Sequence, residues 1–308
     1  MQIVLNPAGL PPSVVALGMF DGFHLAHQAL VKAAVKEAMR LKTCVTVFTF
    51  EPHPLAVLRP GEAPPRLTLP SERARLMAED LVDVLAVERF TPELAHQSPE
   101  AFLAHLQEAC HPAALVCGFN FTFGDRGSGD GETLTRWGKA NGVPVRVLPP
   151  VTLAGVPVSS TRVRRELERG DCLSAARLLG RPYALSGKVE HGRGLGQTLG
   201  FPTANLRVHP DKALPADGVY LCAAEVSGNT WPAVVNIGKH PTLPGGPRTV
   251  EAHLLDFVGS LYGRTLRLHF LRRLRDERLF DTPEALRDQV DRDRREARRL
   301  WEEERQKR

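Results

Sequence analysis

At 308 residues the chain is long for a single hydrophobic core and comfortable for two, so two domains are expected. No segment approaches a membrane span, the N-terminus lacks a basic stretch followed by an apolar one, and the five cysteines (Cys44, Cys110, Cys117, Cys172, Cys222) show no Cys-x-x-Cys spacing. A cytoplasmic protein without membrane contact, zinc site or disulfide framework is therefore expected, and its charge of +5 with a pI near 9.1 suits the handling of anions, either nucleic acid or phosphorylated metabolites.

In chain order, Val14-Val-Ala-Leu17 predicts a short buried strand, and the Ala-, Leu-, Lys- and Glu-rich run ending at Met39 predicts a helix. Between them Gly18 and Gly22 permit a tight turn, Asp21 is placed to cap the helix, and His24 and His27 share one face of its first turn. A helix start with unpaired N–H groups and two imidazoles suits an anion such as phosphate. Read bare, the same pair also fits polar residues on an exposed turn, or a metal pair.

Thr43 to Phe50 predicts a second buried strand, ended by the prolines of Glu51-Pro52-His53-Pro54. A helix from Pro70 or Ser71 to Asp80, a strand over 82–87, an amphipathic helix over Pro99–Cys110 and a strand from Leu115 follow. Strands alternating with helices predict a parallel, doubly wound α/β sheet. Asn120 stands in the turn after the last of these strands, where Asn also serves as a plain turn former. Gly127 to Gly131 is expected to be a mobile loop, and it lacks the Lys-Ser or Lys-Thr pair of a P-loop. Ser159-Ser160-Thr161-Arg162-Val-Arg164 then offers hydroxyls and guanidinium donors within one helical turn, a cradle for a triphosphate tail or an ordinary capped helix.

After a short helix over 173–179 the pattern changes to alternating runs with Gly and Pro turns until about residue 270, which predicts an all-β barrel or sandwich and a domain boundary at 180/181. Glycines 192, 194, 196 and 200 permit a loop whose N–H groups converge on an anion, and Pro202-Thr203-Ala204-Asn205 follows with oxygen ligands suited to Mg²⁺. Glu251 alone reads as a solvent-facing residue of an alternating strand. The arginines of the C-terminal segment (Arg292, Arg294, Arg295, Arg298, Arg299) are interleaved with carboxylates, the pattern of a solvated helix face rather than a nucleic-acid stripe, so no nucleic-acid partner is expected.

Gly18-x-Phe20-Asp21-Gly22-x-His24-x-x-His27-Gln, the Pro-His-Pro loop, Gly118-x-Asn120-Phe-x-Phe-Gly124 and Ser159-Ser-Thr-Arg-x-Arg164 resemble the nucleotidylyltransferase half of bacterial bifunctional riboflavin kinase/FAD synthetases. The family motif usually reads His-x-Gly-His, whereas Ala26 stands here. The stretch from Gly187 through Asn205, with Asp217-Gly-Val-Tyr220, Asn236-Ile-Gly238-Lys-His-Pro-Thr242, Val250-Glu251-Ala-His253-Leu-Leu-Asp256-Phe257 and Leu274-Arg275-Asp-Glu-Arg-Leu-Phe280, is similar to riboflavin kinase, with Gln197 where many relatives carry Arg.

The resemblance implies a Rossmann-like N-terminal adenylyltransferase domain over 1–180 and an antiparallel β-barrel kinase domain with a terminal helix over 181–308. It implies ATP as co-substrate, Mg²⁺, and riboflavin, FMN and FAD as substrates and products, in a monomer or transient homo-oligomer. By resemblance, Gly18, Phe20, Asp21, Gly22, His24, His27, Asn120, Ser160, Thr161 and Arg164 bind the nucleotide for adenylylation, with His24 and His27 catalytic. Gly187, Gly192, Gly194, Gly200, Pro202, Thr203, Asn205, Asn236 and Arg275 serve the kinase, with Thr203 and Asn205 at the metal and Glu251 the catalytic carboxylate. The alternative is kinase activity alone, with Ala26 as the mark of a drifted adenylyltransferase domain.

Overall fold

The computed structural model describes residues 1–191, 200–239 and 248–306 and forms two compact units, Met1–Ser160 and Thr161–Arg308. The first is a parallel α/β domain. Its six strands, β1 (Gln2–Leu5), β2 (Ser13–Leu17), β3 (Cys44–Glu51), β4 (Val84–Arg89), β5 (Pro112–Gly118) and β6 (Val145–Leu148), lie in the order β1-β4-β3-β2-β5-β6. Helices α1 (Leu25–Leu41), α2 (Pro54–Leu58), α3 (Pro70–Glu79), α4 (Pro92–Ala95), α5 (Pro99–Cys110) and α6 (Gly131–Asn141) connect them, and a small hairpin, β7 (Thr152–Leu153) with β8 (Val156–Pro157), follows.

β2 is buried along its whole length because both faces of the sheet are covered, which is why it reads as an unbroken apolar run. Its alternate side chains serve two layers. Val14 and Ala16 pack with Leu30, Val31, Ala34 and Ala38, which recur at helical spacing on α1. Val15 and Leu17 pack with Phe102, Leu103 and Leu106 of α5. The chain runs from β2 through β3 to β4 on one side and then crosses to β5 on the other. The loops after β2 and β5 therefore flank a topological switch point at the carboxyl edge, where open α/β sheets bind ligands.

Several features depart from the sequence expectations, the unanticipated strand β6 among them. The expected mobile loop at Gly127–Gly131 is ordered structure: a 3-10 turn spans Asp125–Gly127, Phe123 pairs with Gly129, and the Asp130 carboxylate accepts the Glu132 and Thr133 N–H groups to start α6. The glycine-rich composition concealed that cap. Edge strand β1 was not anticipated, because its exposed Ile3 and Leu5 break the alternation of a half-buried strand. Asp21 does not cap α1, for the reason given below.

In the second unit, α7 (Ser160–Glu168, its first residue being the last of the first unit) and α8 (Cys172–Leu179) precede six strands: β9 (Tyr183–Glu190), β10 (Ala204–Val208), β11 (Gly218–Val226), β12 (Asn229–Lys239), β13 (Arg248–Leu254) and β14 (Thr265–Arg275). They close into an antiparallel barrel in the order β10-β13-β12-β11-β14-β9. The C-terminal helix, Pro283–Gln306, presents Ala297 and Leu300 to Val219, Leu221, Ala223, Val234, Leu255 and Leu271 on the barrel wall.

Candidate active sites

The first site is built on the turn that joins β2 to α1. Gly22 takes a left-handed conformation (φ 79°), which favours glycine, and its N–H donates to the Thr68 hydroxyl at 3.0 Å. Asp21, only 7% exposed, accepts the Leu67 N–H at 3.0 Å, the Thr68 N–H at 3.0 Å and the Thr68 hydroxyl at 3.2 Å. Its carboxylate thus pins the loop before α3 instead of capping α1, which corrects the expectation from sequence. The N-cap of α1 is His24, 4% exposed, whose Nδ1 accepts the His27 N–H at 3.4 Å. The His24 and His27 rings stack with centroids 3.6 Å apart, and Phe20 lies 5.2 Å from His27. The first turn of α1 itself carries no acidic residue to offset the positive end of its dipole.

Neighbouring strand ends complete this edge. Gly18 ends β2 with its N–H donating to Phe48 O at 3.3 Å. The Ser160 hydroxyl donates to Asp21 O at 2.8 Å, bringing the residue at the start of α7 onto the turn. Arg164 lies one helical turn beyond Ser160 on the same face of α7, and Thr161 is its exposed second residue. Asn120 is exposed in the tight turn after β5, beside the switch point. Sequence reasoning missed Arg73 of α3. It is 4% exposed and donates to Met19 O at 3.1 Å and to Glu51 at 3.4 Å, tying the β2 turn to the end of β3. Burial lowers its pKa from the usual guanidinium value, and Glu51 and Asp21 oppose that shift. Arg73 is one of four charged residues in α3, and the signal that could have found it is its i, i+3, i+4 spacing to the buried Leu76 and Met77.

The second site is a row across the barrel. Asn205 of β10 pairs with Glu251 of β13, and Glu251 pairs with Asn236 of β12, so three polar side chains stand side by side on adjacent strands. All three are half-buried, while their sequence neighbours Ala204, Leu206, Val250, Ala252, Val235 and Ile237 are buried on the opposite face. The Asn236 amide donates to Glu277 at 3.3 Å. Thr203 and Pro202 lead directly into β10, and the Pro202 carbonyl is held by His253 of β13 at 2.9 Å. The Thr203 hydroxyl and the Asn205 carboxamide offer oxygen donors of the kind a hard cation such as Mg²⁺ takes, with the Glu251 carboxylate beside Asn205.

Other sequence candidates have different places. Gly187 lies inside β9, where a side chain would press within 2.6 Å of Arg207 O, so glycine there serves strand pairing. Arg275 is committed to Asp293 of the C-terminal helix, with contacts of 3.1, 3.0 and 2.8 Å, and so braces that helix. Gly200 lies in the turn before Pro202. Gly192, Gly194, Gly196 and Gln197 lie outside the described residues, as do His240, Pro241 and Thr242.

With both sites in place, the comparisons with known proteins decide the family. The FAD synthetase family model matches residues 7–162 and the riboflavin kinase family model matches residues 179–301. The chain belongs to the bifunctional riboflavin kinase/FMN adenylyltransferase family. Within that family, the Pseudomonas fluorescens enzyme is 38% identical over 95% of this chain and 96% of its own, and the Escherichia coli K12 enzyme is 36% identical over 96% and 95%. A crystal structure from Streptococcus pneumoniae, described as a macrolide-efflux protein, shares the fold with a TM-score of 0.89 and 31% identity over 97% of this chain and 99% of that one. Among the described residues here, no helix is long and apolar enough to cross a membrane.

Proposed function

We propose that residues 181–308 phosphorylate riboflavin to FMN with ATP and that residues 1–180 transfer the adenylyl group of a second ATP to FMN, giving FAD and pyrophosphate. What carries the reading is the cross-strand row Asn205–Glu251–Asn236, a carboxylate flanked by carboxamides at the mouth of the Pro202-Thr203 segment. Glu251 accepts the proton of the ribityl 5′-hydroxyl as that oxygen attacks the γ-phosphorus. Thr203 and Asn205 are the residues that would hold Mg²⁺, which when bound neutralises phosphate charge. Asn236 orients the row, its amide fixed by Glu277.

In the other half the FMN phosphate attacks the α-phosphorus of ATP directly, and no covalent enzyme intermediate is needed. The task is to bring two anions together and to stabilise charge on the transferring group. His24 and His27, stacked at the dipole-positive start of α1, supply imidazole donors, and Ser160, Thr161 and Arg164 receive the polyphosphate. The FAD synthetase match over 7–162 and the pinned β2 turn favour this over kinase activity alone. We further read the chain as a cytoplasmic monomer or transient homo-oligomer with small-molecule partners only.

The test is flavin analysis by chromatography after incubation with ATP and Mg²⁺. His24→Ala is expected to cut FAD formation from FMN by about 100-fold or more while FMN formation continues. Glu251→Ala is expected to cut FMN formation by a factor on the order of 100 to 10,000 while supplied FMN is still converted. FAD formation undiminished in His24→Ala, or FMN formation undiminished in Glu251→Ala, contradicts the assignment.

A further inference from the structure

His253 stands two residues beyond Glu251 on β13, so the two side chains share one face of the strand. Its Nδ1 lies 2.9 Å from the Pro202 carbonyl. A carbonyl only accepts, so Nδ1 carries the proton and the neutral ring must leave Nε2 bare. Nε2 is buried and has no hydrogen-bond partner among the described residues, while the ring as a whole is 9% exposed and meets Phe201 edge-on at 6.5 Å. Burial, the largest influence on the ring, also favours the neutral form. Among the described residues the tautomer is therefore set by one bond, and that bond reaches to the segment leading into the neighbouring strand, at the residue before Thr203.

We infer that His253 is a positioning residue of the kinase site: its Nδ1–H staples the Pro202 carbonyl to β13 and so fixes Thr203 and Asn205 relative to Glu251. The strap from Gly200 to Thr203 makes no strand pairing of its own, since β10 begins only at Ala204. Among the described residues, Thr203 thus has its backbone held on one side by the β10 ladder and on the other by this side chain. Without the staple, the strap swings about Ala204 and the hydroxyl leaves its place beside the row. The inference rests on the assignment of Thr203, Asn205 and Glu251 to phosphoryl transfer. It adds a role for a residue that lies beside the oxygen row and acts through the Pro202 carbonyl.

The experiment uses the full chain and three variants. His253→Asn keeps an amide N–H near the Nδ1 position, His253→Leu keeps volume without the donor, and Glu251→Gln reports on the site itself. In FMN formation, His253→Leu is expected to lose about ten-fold or more in kcat/KM for Mg-ATP, with KM for riboflavin changed less than about two-fold. His253→Asn is expected to recover most of that loss. FAD formation from supplied FMN reports that the other half is intact, and the thermal unfolding of the whole chain, with the retained KM for riboflavin, reports that the barrel of each variant is folded. Nitrogen NMR of a chain with labelled histidine is expected to show His253, identified by the resonance missing from His253→Asn, with Nδ1 protonated and Nε2 bare. That resonance is expected to move when ADP and Mg²⁺ are added together. A His253→Leu variant with unchanged kcat/KM, a His253→Asn variant as impaired as His253→Leu, or a protonated Nε2 overturns the inference. A Glu251→Gln variant that still makes FMN at the parent rate instead overturns the site assignment on which it rests.

Discussion

At the residue scale, both sites rest on side chains that hold neighbouring turns in place. Asp21 spends its carboxylate on two N–H groups and a hydroxyl of the 67–68 loop, and Arg73 spends its guanidinium on Met19 O and Glu51. Each fixes a turn whose own sequence is too short to fix itself. His253 does the same in the barrel and brings a pH dependence. Its folded pKa lies below the ordinary 6.5 because of burial, with Arg294 and Arg298 of the C-terminal helix pushing the same way and the Pro202 carbonyl and Asp256 opposing. As pH falls through about 6.5, the unfolded chain takes up a proton that the folded chain refuses, so the contribution of this group to stability is present above that pH and declines below it. Thermal melting from pH 7.5 to 5.5 is expected to show the parent losing more stability than His253→Asn, and parallel curves would contradict this.

At the element scale, the C-terminal helix is fastened to the kinase barrel by an apolar strip, by a buried polar cluster around Asp293, and by the pairs Arg272–Glu304 and Arg298–Asp256. Arg275 at the end of β14 meets buried Asp293, and the Gln289 amide donates to the same carboxylate at 2.7 Å. Asp293→Ala leaves Arg275 and Gln289 without their shared acceptor and is expected to destabilise the barrel unit by about 3 kcal/mol, read as a shift in its denaturant midpoint. A shift within error would show that the apolar contacts of Ala297 and Leu300, with the Arg272–Glu304 and Arg298–Asp256 pairs, hold the helix without the cluster that pairs Arg275 with Asp293. This pairing also marks where sequence reading stops. The strand-helix alternation, the switch to β structure and the run Glu251-Ala-His253 were legible because periodicity and motif are local properties. The commitment of Arg275 to Asp293, the use of Gly187 for strand pairing and the true partners of Asp21 were not, because each depends on a residue between 18 and 47 positions away, or on how closely two strands approach. The cap at Asp130 was local yet hidden by the glycines around it.

At the scale of the whole molecule, two folds with different ways of meeting phosphate share one chain. The α/β unit offers a helix start and two imidazoles at a switch point, and the barrel offers a row of oxygen donors across adjacent strands. The product of the second chemistry is the substrate of the first. Neither site borrows a residue from the other in this account, so each must work when the other is disabled. The most direct test is complementation: His24→Ala and Glu251→Ala chains, each supplied with riboflavin, ATP and Mg²⁺, are assayed for FAD separately and mixed. The account predicts little FAD from either alone, accumulation of FMN with His24→Ala, and restored FAD in the mixture. Loss of both reactions from a single substitution, or a mixture that stays silent, would contradict it.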